Sequence, residues 1–499
     1  MKRSRGTFDR YTDLTSFGKS SMVSQRGMQG LLRELRESGM PEAFSRSTQY
    51  RARKAVCATD TPYGPLVTYT DVVGTFKQDT GGAVEKTFTI GFQNPLAFLW
   101  TVCSQSQHYE HLLRAACETN PSSPEPPWRI ILYSDGVDPS DTAVKTHSRK
   151  FIIFYWSFLE LGTAALAHEA VWGTSTIVRE SCAKSLHGGI AGLTSLVLEQ
   201  FTGADFDIMR AGVSVTFANG ERLRLFARVG VMLADEPAFK DMLDCKGHAG
   251  LKPCFLCQNC LPYKAPARPG ALPLHLFDDG YAVTIAEPDF TKFNKHDDAS
   301  IRETVARLAR HKATLTVTEF EERSQLLGFN DNPRSIIANR RFGLGVVSMS
   351  MFDWSHTWIC DGLADSEFGT FMQVMVRAKS STTYAELGEY VKTFTLPRHF
   401  GTLNNLFEPG RYGNYVKTGS FPAIASEFLS LAPILRRYLS QVVSPRGEMT
   451  DHVASILAAL DVIDMLQACK HLGKVRPSVL HAAITKHFEL ILRRTGRTM

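Results

Sequence analysis

Apolar and polar positions along the middle of the chain switch between the two-residue period of strands and the longer period of helices. Residues 129–133 form a short apolar run that ends in Ser134-Asp135-Gly136, and residues 150–156 form a second; both predict strands. Residues 174–178 predict a third. Between Ser185 and Phe201, the apolar residues Ile190, Leu193, Leu196, Val197 and Phe201 recur at helical spacing. Residues 213–217 and 222–226 flank Asn219-Gly220, a pair that favours a tight hairpin because both turn positions need left-handed backbone. The second of these runs continues through 229–233 to Asp235, where Glu236-Pro237-Ala238 opens a helix. Strands followed by a helix and a further strand predict a mixed α/β layer.

The flanks read differently. In residues 1–56, Met28, Leu31, Leu32 and Leu35 share a helix face that Gly39 and Pro41 terminate. A second, basic helix follows over 45–54. Residues 57–127 mix strand and helix, with a polar loop at 79–82, and the proline-rich stretch 121–127 marks a boundary. Prolines crowd 262–288, residues 299–328 predict helix, and the chain beyond Asp353 is mostly helical, with clear apolar periodicity in 427–443 and 452–468. The resulting division is a basic arm (1–56), a mixed region with its linker (57–127), the α/β core (128–260), a loop-rich then helical insertion (261–420) and a helical C-terminal part (421–499).

Composition adds three constraints. An apolar share of 43% and a charged share of 21% are those of an ordinary globular protein, and 499 residues suit two or three domains. The net charge of +6 is concentrated: residues 1–56 carry 12 Lys/Arg against 5 Asp/Glu, a net +7. A basic arm on a neutral body suits a polyanion such as nucleic acid, and equally a solvated tail. Ten cysteines do not form a disulfide framework, no signal peptide is evident, and the most apolar window (151–168) is broken by Glu160, so neither secretion nor a transmembrane segment is expected.

Candidate chemistry lies where apolar runs end. Asp135 and Asp235 each close a strand, and two carboxylates on neighbouring strands, with a third acid, can hold a pair of Mg²⁺ or Mn²⁺ ions for phosphodiester chemistry. Taken singly, Asp135 suits a turn before Gly136, and Asp235 suits a helix cap. Cys254-x-x-Cys257 has the bite of a Zn²⁺ site, with Cys245, His248, Cys260, His356 and His399 as possible further ligands. In Asp353-x-x-His356, the aromatic neighbours Phe352, Trp354 and Trp358 equally suit a packed core histidine.

In that order, Ser134-Asp135-Gly136, Leu233-Ala234-Asp235, Gly247-x-x-Gly250, Cys254-x-x-Cys257 and Asp353-x-x-His356 resemble the cores of eukaryotic cut-and-paste DDE transposases. The CACTA and Kyakuja–Dileera–Zisupton groups are the nearest, and the V(D)J recombinase core is a more distant likeness. The resemblance spans roughly 128–440. It implies a ribonuclease-H-like mixed sheet with a long insertion, the first aspartate on the first strand and the second at the end of the fourth. It further implies Mg²⁺ at Asp135, Asp235 and a third acid, Zn²⁺ at Cys254 and Cys257, and His356 near the active edge. Glu427, in Ala425-Ser426-Glu427, fits the third acid best; Glu408, Glu389 and Glu386 are alternatives. Cleavage and strand transfer on double-stranded DNA, a nuclear location and a homo-oligomeric active form follow from the resemblance. It also makes Arg46, Arg51, Arg53 and Lys54 phosphate-contacting candidates. A catalytically inactive, domesticated DNA-binding copy or a metal-dependent nuclease would keep the same features.

Overall fold

The computed structural model describes Arg33 and residues 60–499, apart from 78–80, 139–149, 204–206, 218, 247–251, 253, 259–273, 277–281, 285–289, 361, 378–381, 397–402, 409–418, 420, 422, 473–474 and 496–499. Arg46, Arg51, Arg53, Lys54, His248, Cys260 and His399 lie outside the described residues. The chain divides into two units, 1–60 and 61–499, and apart from Arg33 and Asp60 every described residue belongs to the second.

A long hairpin comes first, β1 (Val67–Lys77) and β2 (Ala83–Gln93), then two helices, α1 (Pro95–Gln105) and α2 (Gln107–Thr119). Asn94 caps α1 by accepting from the amides of Leu96 and Ala97, and Pro95 sits in the first turn, where its missing N–H costs nothing. The three expected strands follow as β3 (Trp128–Val137), β4 (Phe151–Phe158) and β5 (Gly173–Arg179). Then come α3 (Glu180–Ser185), α4 (Gly189–Glu199), the hairpin β6 (Val213–Thr216) and β7 (Arg222–Leu225), β8 (Ala227–Ala234) and α5 (Glu236–Leu243).

The apolar run 222–235 is therefore not one strand. Its first part pairs only with β6, and its second part, β8, enters the main sheet. Past the proline-rich stretch come α6 (Asp298–Thr314), α7 (Val317–Leu327) and the three-residue strand β9 (Ser350–Phe352).

The main sheet has five strands in the order β9-β8-β3-β4-β5. β4 runs antiparallel to its neighbours β3 and β5, whereas β8 is parallel to both β3 and β9. This establishes a mixed α/β architecture. β3 is longer than its apolar run suggests. It continues through Gly136, which pairs with Ile152, so Asp135 lies inside a strand and not in a turn.

Two apolar cores hold the unit together. In the first, Trp128, Trp156, Phe158 and Phe201 interlock edge to face at centroid distances of 5.4–5.6 Å. Phe92, Leu96 and Leu113 belong to this same core. The stretch 121–127, expected as a domain boundary, is instead the connection from α2 into β3 within one packed body. Ile301, Leu308 and Leu327 of α6 and α7 also join it, so that part of the insertion is integral to the core.

The second core is helical: α8 (Leu363–Arg377), α9 (Tyr384–Lys392), α10 (Ala425–Tyr438) and α11 (Thr450–Leu472) contribute Phe368, Leu387, Leu431 and Ile463. It runs across the expected division at residue 420. α12 (Pro477–Thr495) docks on it through the buried Arg494–Glu367 pair, at 2.7 Å. Within α11, the stretch Thr450–Cys469 is long and apolar enough to cross a membrane by length and composition alone. Val453, Ile456, Leu460 and Ile463 are buried in the second core, which accounts for that apolarity without a bilayer.

Candidate functional site

The site lies where three parallel strands end. Leu233 of β8 is in register with Tyr133 of β3 on one side and Met351 of β9 on the other. Two residues further along each strand stand Asp235, Asp135 and Asp353. Side chains two residues apart on a strand share a face, so the three aspartates form one row across three adjacent strands. The ladder extends to that row on the β9 side, where the Asp353 amide donates to the Ala234 carbonyl at 2.9 Å.

Asp135 and Asp235 line one cleft of about 160 Å³ together with Gly136, Lys150, Glu180, Asp241 and His356. Asp135 Oδ2 accepts from the Tyr133 hydroxyl at 3.1 Å. The Tyr133 ring stacks on Tyr155 at 5.8 Å and meets Trp172 edge-on at 6.3 Å. Burial, followed by the negative charges of Asp135, Asp353 and Asp235, raises the Tyr133 hydroxyl above the usual phenol range and keeps it a donor.

Asp235 is also the cap of α5: its Oδ1 accepts from the Ala238 amide at 2.7 Å, and Pro237 sits in the first turn. Both sequence readings of this residue therefore hold in geometry, as strand-end acid and as cap. One carboxylate oxygen serves the helix, and the residue still lines the cleft.

Asp353 and His356 form a pair. His356 Nδ1 lies 2.7 Å from Asp353 Oδ2, and Ser355 donates to the same carboxylate through its amide and hydroxyl, both at 2.9 Å to Oδ1. Burial works to raise the Asp353 carboxyl, but the hydrogen bonds from His356 and Ser355 outweigh it and hold the group below its usual range. His356 is not a packed core histidine. It is 53% exposed, on a single π-helical turn (Ser355–Ile359), and it opens onto the cleft. The aromatic packing suggested by the sequence belongs to Trp358, which is buried and donates to the Ala459 carbonyl at 3.1 Å.

Glu427 does not line this cleft. It sits in the first turn of α10, where its Oε2 accepts from the Ile424 amide at 3.1 Å. Its helix packs against the turn that carries His356. Among the alternatives, Glu386 is held by Arg446 (2.9 Å to Nη1) and by Tyr438 (3.0 Å), and Glu389 pairs with Lys392 at 2.6 Å.

The structure brings two other acids, Glu180 and Asp241, to the cleft. Neither ends an apolar run, and their only sequence signal is position, Glu180 directly after the third strand and Asp241 on the helix opened by Asp235. Burial raises the Asp241 carboxyl, with Lys184 and Lys150 acting the other way. The motif Asp353-x-x-His356 was legible, but its place on the sheet edge was not, because Ser350–Phe352 is too short to read as a strand.

The cysteine turn lies below the same edge. Phe255, between the two thiols, packs against Phe239 of α5 at 5.8 Å and Phe352 of β9 at 5.8 Å. The turn is also tied by backbone bonds from Gln258 to Asn294 and from His296 to Leu256. A hydrogen bond from Cys257 lowers the Cys254 thiol to about 7, which gives Cys254 the thiolate character a metal ligand needs. Cys245, nearby, is fully buried, and its thiol is pushed up by burial.

Among the described residues, no group of three or more His, Cys, Asp or Glu is placed to hold a metal ion. The cysteine pair thus supplies two donors of a zinc set, and Asp135 and Asp235 supply hard oxygen donors of the kind Mg²⁺ takes. Neither set is complete within the described chain. No protein-family model and no curated protein sequence matches this chain.

Proposed function

We propose that this chain is a DNA-processing protein of the DDE transposase type, with Asp135 and Asp235 as the paired metal-binding carboxylates of its active edge. The observation that carries the reading is their placement. Asp135 lies on the first strand of the five-stranded sheet in chain order, and Asp235 at the end of the fourth, which are the positions the resemblance assigns to the first two acids of a ribonuclease-H-like core. The two strands are parallel neighbours in register, and both aspartates open onto one cleft with His356.

The division of labour follows from the chemistry of the residues. Mg²⁺ held by the aspartates would polarise a phosphodiester and activate the attacking oxygen. Tyr133 fixes the Asp135 carboxylate through its hydroxyl. Asp353 holds the Nδ1 side of His356, which leaves Nε2 to contact substrate or carry a proton. Glu427, the third acid implied by the resemblance, would have to be delivered to the edge by a shift of α10. Zn²⁺ at Cys254 and Cys257 would reinforce a turn that Phe255 already anchors.

A second reading is an inactive, DNA-binding relative with the same fold. It is favoured by Glu427, whose carboxylate is engaged at the start of its own helix. The test is a cleavage and strand-transfer assay on duplex DNA with Mg²⁺, comparing the wild type with Asp235→Asn. Asparagine caps α5 as well as aspartate does, so the variant keeps its fold. Cleaved and joined product from the wild type alone supports the transposase reading. Cleavage without joining favours a nuclease, and equal activity of the two proteins removes Asp235 from catalysis.

A further inference from the structure

We propose that Lys150 is the cation that grips the substrate phosphate in the acidic cleft, and that residue 136 is glycine so that Lys150 can reach it. The proposal rests on the DNA-processing reading above and assigns it a substrate contact.

Lys150 immediately precedes β4. Its backbone carbonyl accepts from the Glu180 amide at 2.9 Å, which fixes the root of the side chain. The side chain then crosses Gly136. A Cβ placed on Gly136 would stand 2.5 Å from Lys150 Cε and 3.1 Å from Nζ, inside contact distance. Gly136 pairs with Ile152 as an ordinary strand residue, and its backbone is not left-handed, so conformation alone does not call for glycine there. The constraint is space: a Cβ at residue 136 would force the end of the Lys150 side chain to move from its present path.

The charges around Lys150 point the same way. Asp135, Asp235, Asp241 and Glu180 line the cleft, with Lys150 and His356 as its basic groups. Glu180 pairs more closely with Lys184, at 2.9 Å, than with Lys150, at 3.7 Å. Lys150 is therefore the looser of the two cations on Glu180. An ammonium on a flexible stem beside hard oxygen donors does not bind a metal. It attracts the anion that the metals would also bind, here a phosphodiester.

The experiment uses the full chain and a fluorescein-labelled DNA duplex, with Ca²⁺ as a non-cleaving ion and KCl varied. Lys150→Ala is expected to weaken binding several-fold and to lower the slope of log K against log salt by about 0.9, the share of one phosphate contact. Lys150→Arg should keep both values. Gly136→Ala should weaken binding like Lys150→Ala, because the lysine is present but displaced. Wild-type affinity and slope in Lys150→Ala would overturn the assignment.

A parallel Mg²⁺ cleavage assay with Asp135→Asn separates the two levels. An inactive Asp135→Asn beside an unaffected Lys150→Ala removes the lysine alone. Wild-type cleavage by Asp135→Asn removes the reading on which the proposal stands.

Discussion

His356 Nδ1 and Asp353 Oδ2 lie 2.7 Å apart at the end of β9, one strand away from Asp235. The contact fixes which ring nitrogen faces the protein and which faces the cleft. It also ties the Asp353 charge to the folded state, because the hydrogen bonds that hold its carboxyl low exist only there.

Asp353→Asn should release His356 and lower Mg²⁺-dependent cleavage about 10- to 100-fold, the range expected for loss of an orienting partner. Its effect on stability should depend on pH. A carboxyl depressed in the folded state contributes stability above its unfolded pKa, and that contribution is lost as pH falls through the folded value. Urea denaturation should therefore show Asp353→Asn destabilised by about 1.5–3 kcal/mol at pH 7. Near pH 2 the two proteins should converge. A pH-independent difference would mean that the charge of Asp353 is not what its partners recognise.

Tyr133→Phe removes one hydroxyl and keeps the ring between Tyr155 and Trp172. The fold should be retained, with a change in stability of about 0.5–1.5 kcal/mol. The Mg²⁺ concentration needed for half-maximal cleavage should rise several-fold, because Asp135 loses the donor that orients it. A variant with the wild-type Mg²⁺ requirement would leave Tyr133 as packing only.

Glu427→Ala should cost about 0.5–2 kcal/mol through loss of the bond to the Ile424 amide at the helix start, whereas Glu427→Gln, which can make the same bond, should cost little. Thermal denaturation of the two variants measures this. Cleavage by the stable Gln variant then decides whether Glu427 serves as the third acid. Lost cleavage makes Glu427 the third acid, and wild-type cleavage leaves it as a cap.

His487 is fully buried against Trp358 and Phe488, and neither ring nitrogen has a hydrogen-bond partner among the described residues. Burial, with Arg494 adding to it, lowers the ring to about 4. Between pH 4 and the usual value near 6.5, the unfolded chain binds a proton that the folded chain refuses, so stability must fall as pH drops through this window. His487 alone contributes a slope of up to about 1.4 kcal/mol per pH unit there. His487→Phe should remove that part of the slope, as followed by urea denaturation at pH 7, 6 and 5. His296, also lowered to about 4 by burial, should retain its own.

Much of this molecule is written locally. The runs at 129–133, 150–156 and 174–178 become strands because their apolar residues have to be covered on a sheet. Asn219-Gly220 makes a hairpin, and Glu236-Pro237-Ala238 opens a helix behind Asp235. These are short-range preferences of side chain and backbone, and they placed Asp235 at a strand end, and Asp135 on a strand that in fact runs two residues past it, before any pairing was known. The sequence could not fix the pairing, because strand order and register depend on contacts between residues about a hundred positions apart. Only the tertiary structure sets Asp235 beside Asp135 as parallel neighbours, brings the three-residue strand before Asp353 onto the same edge, and turns His356 toward the cleft while burying Trp358. It also leaves Glu427 at the start of its own helix, and carries Lys150 across Gly136 into the cleft that the aspartates line, a placement that no spacing in the chain announces.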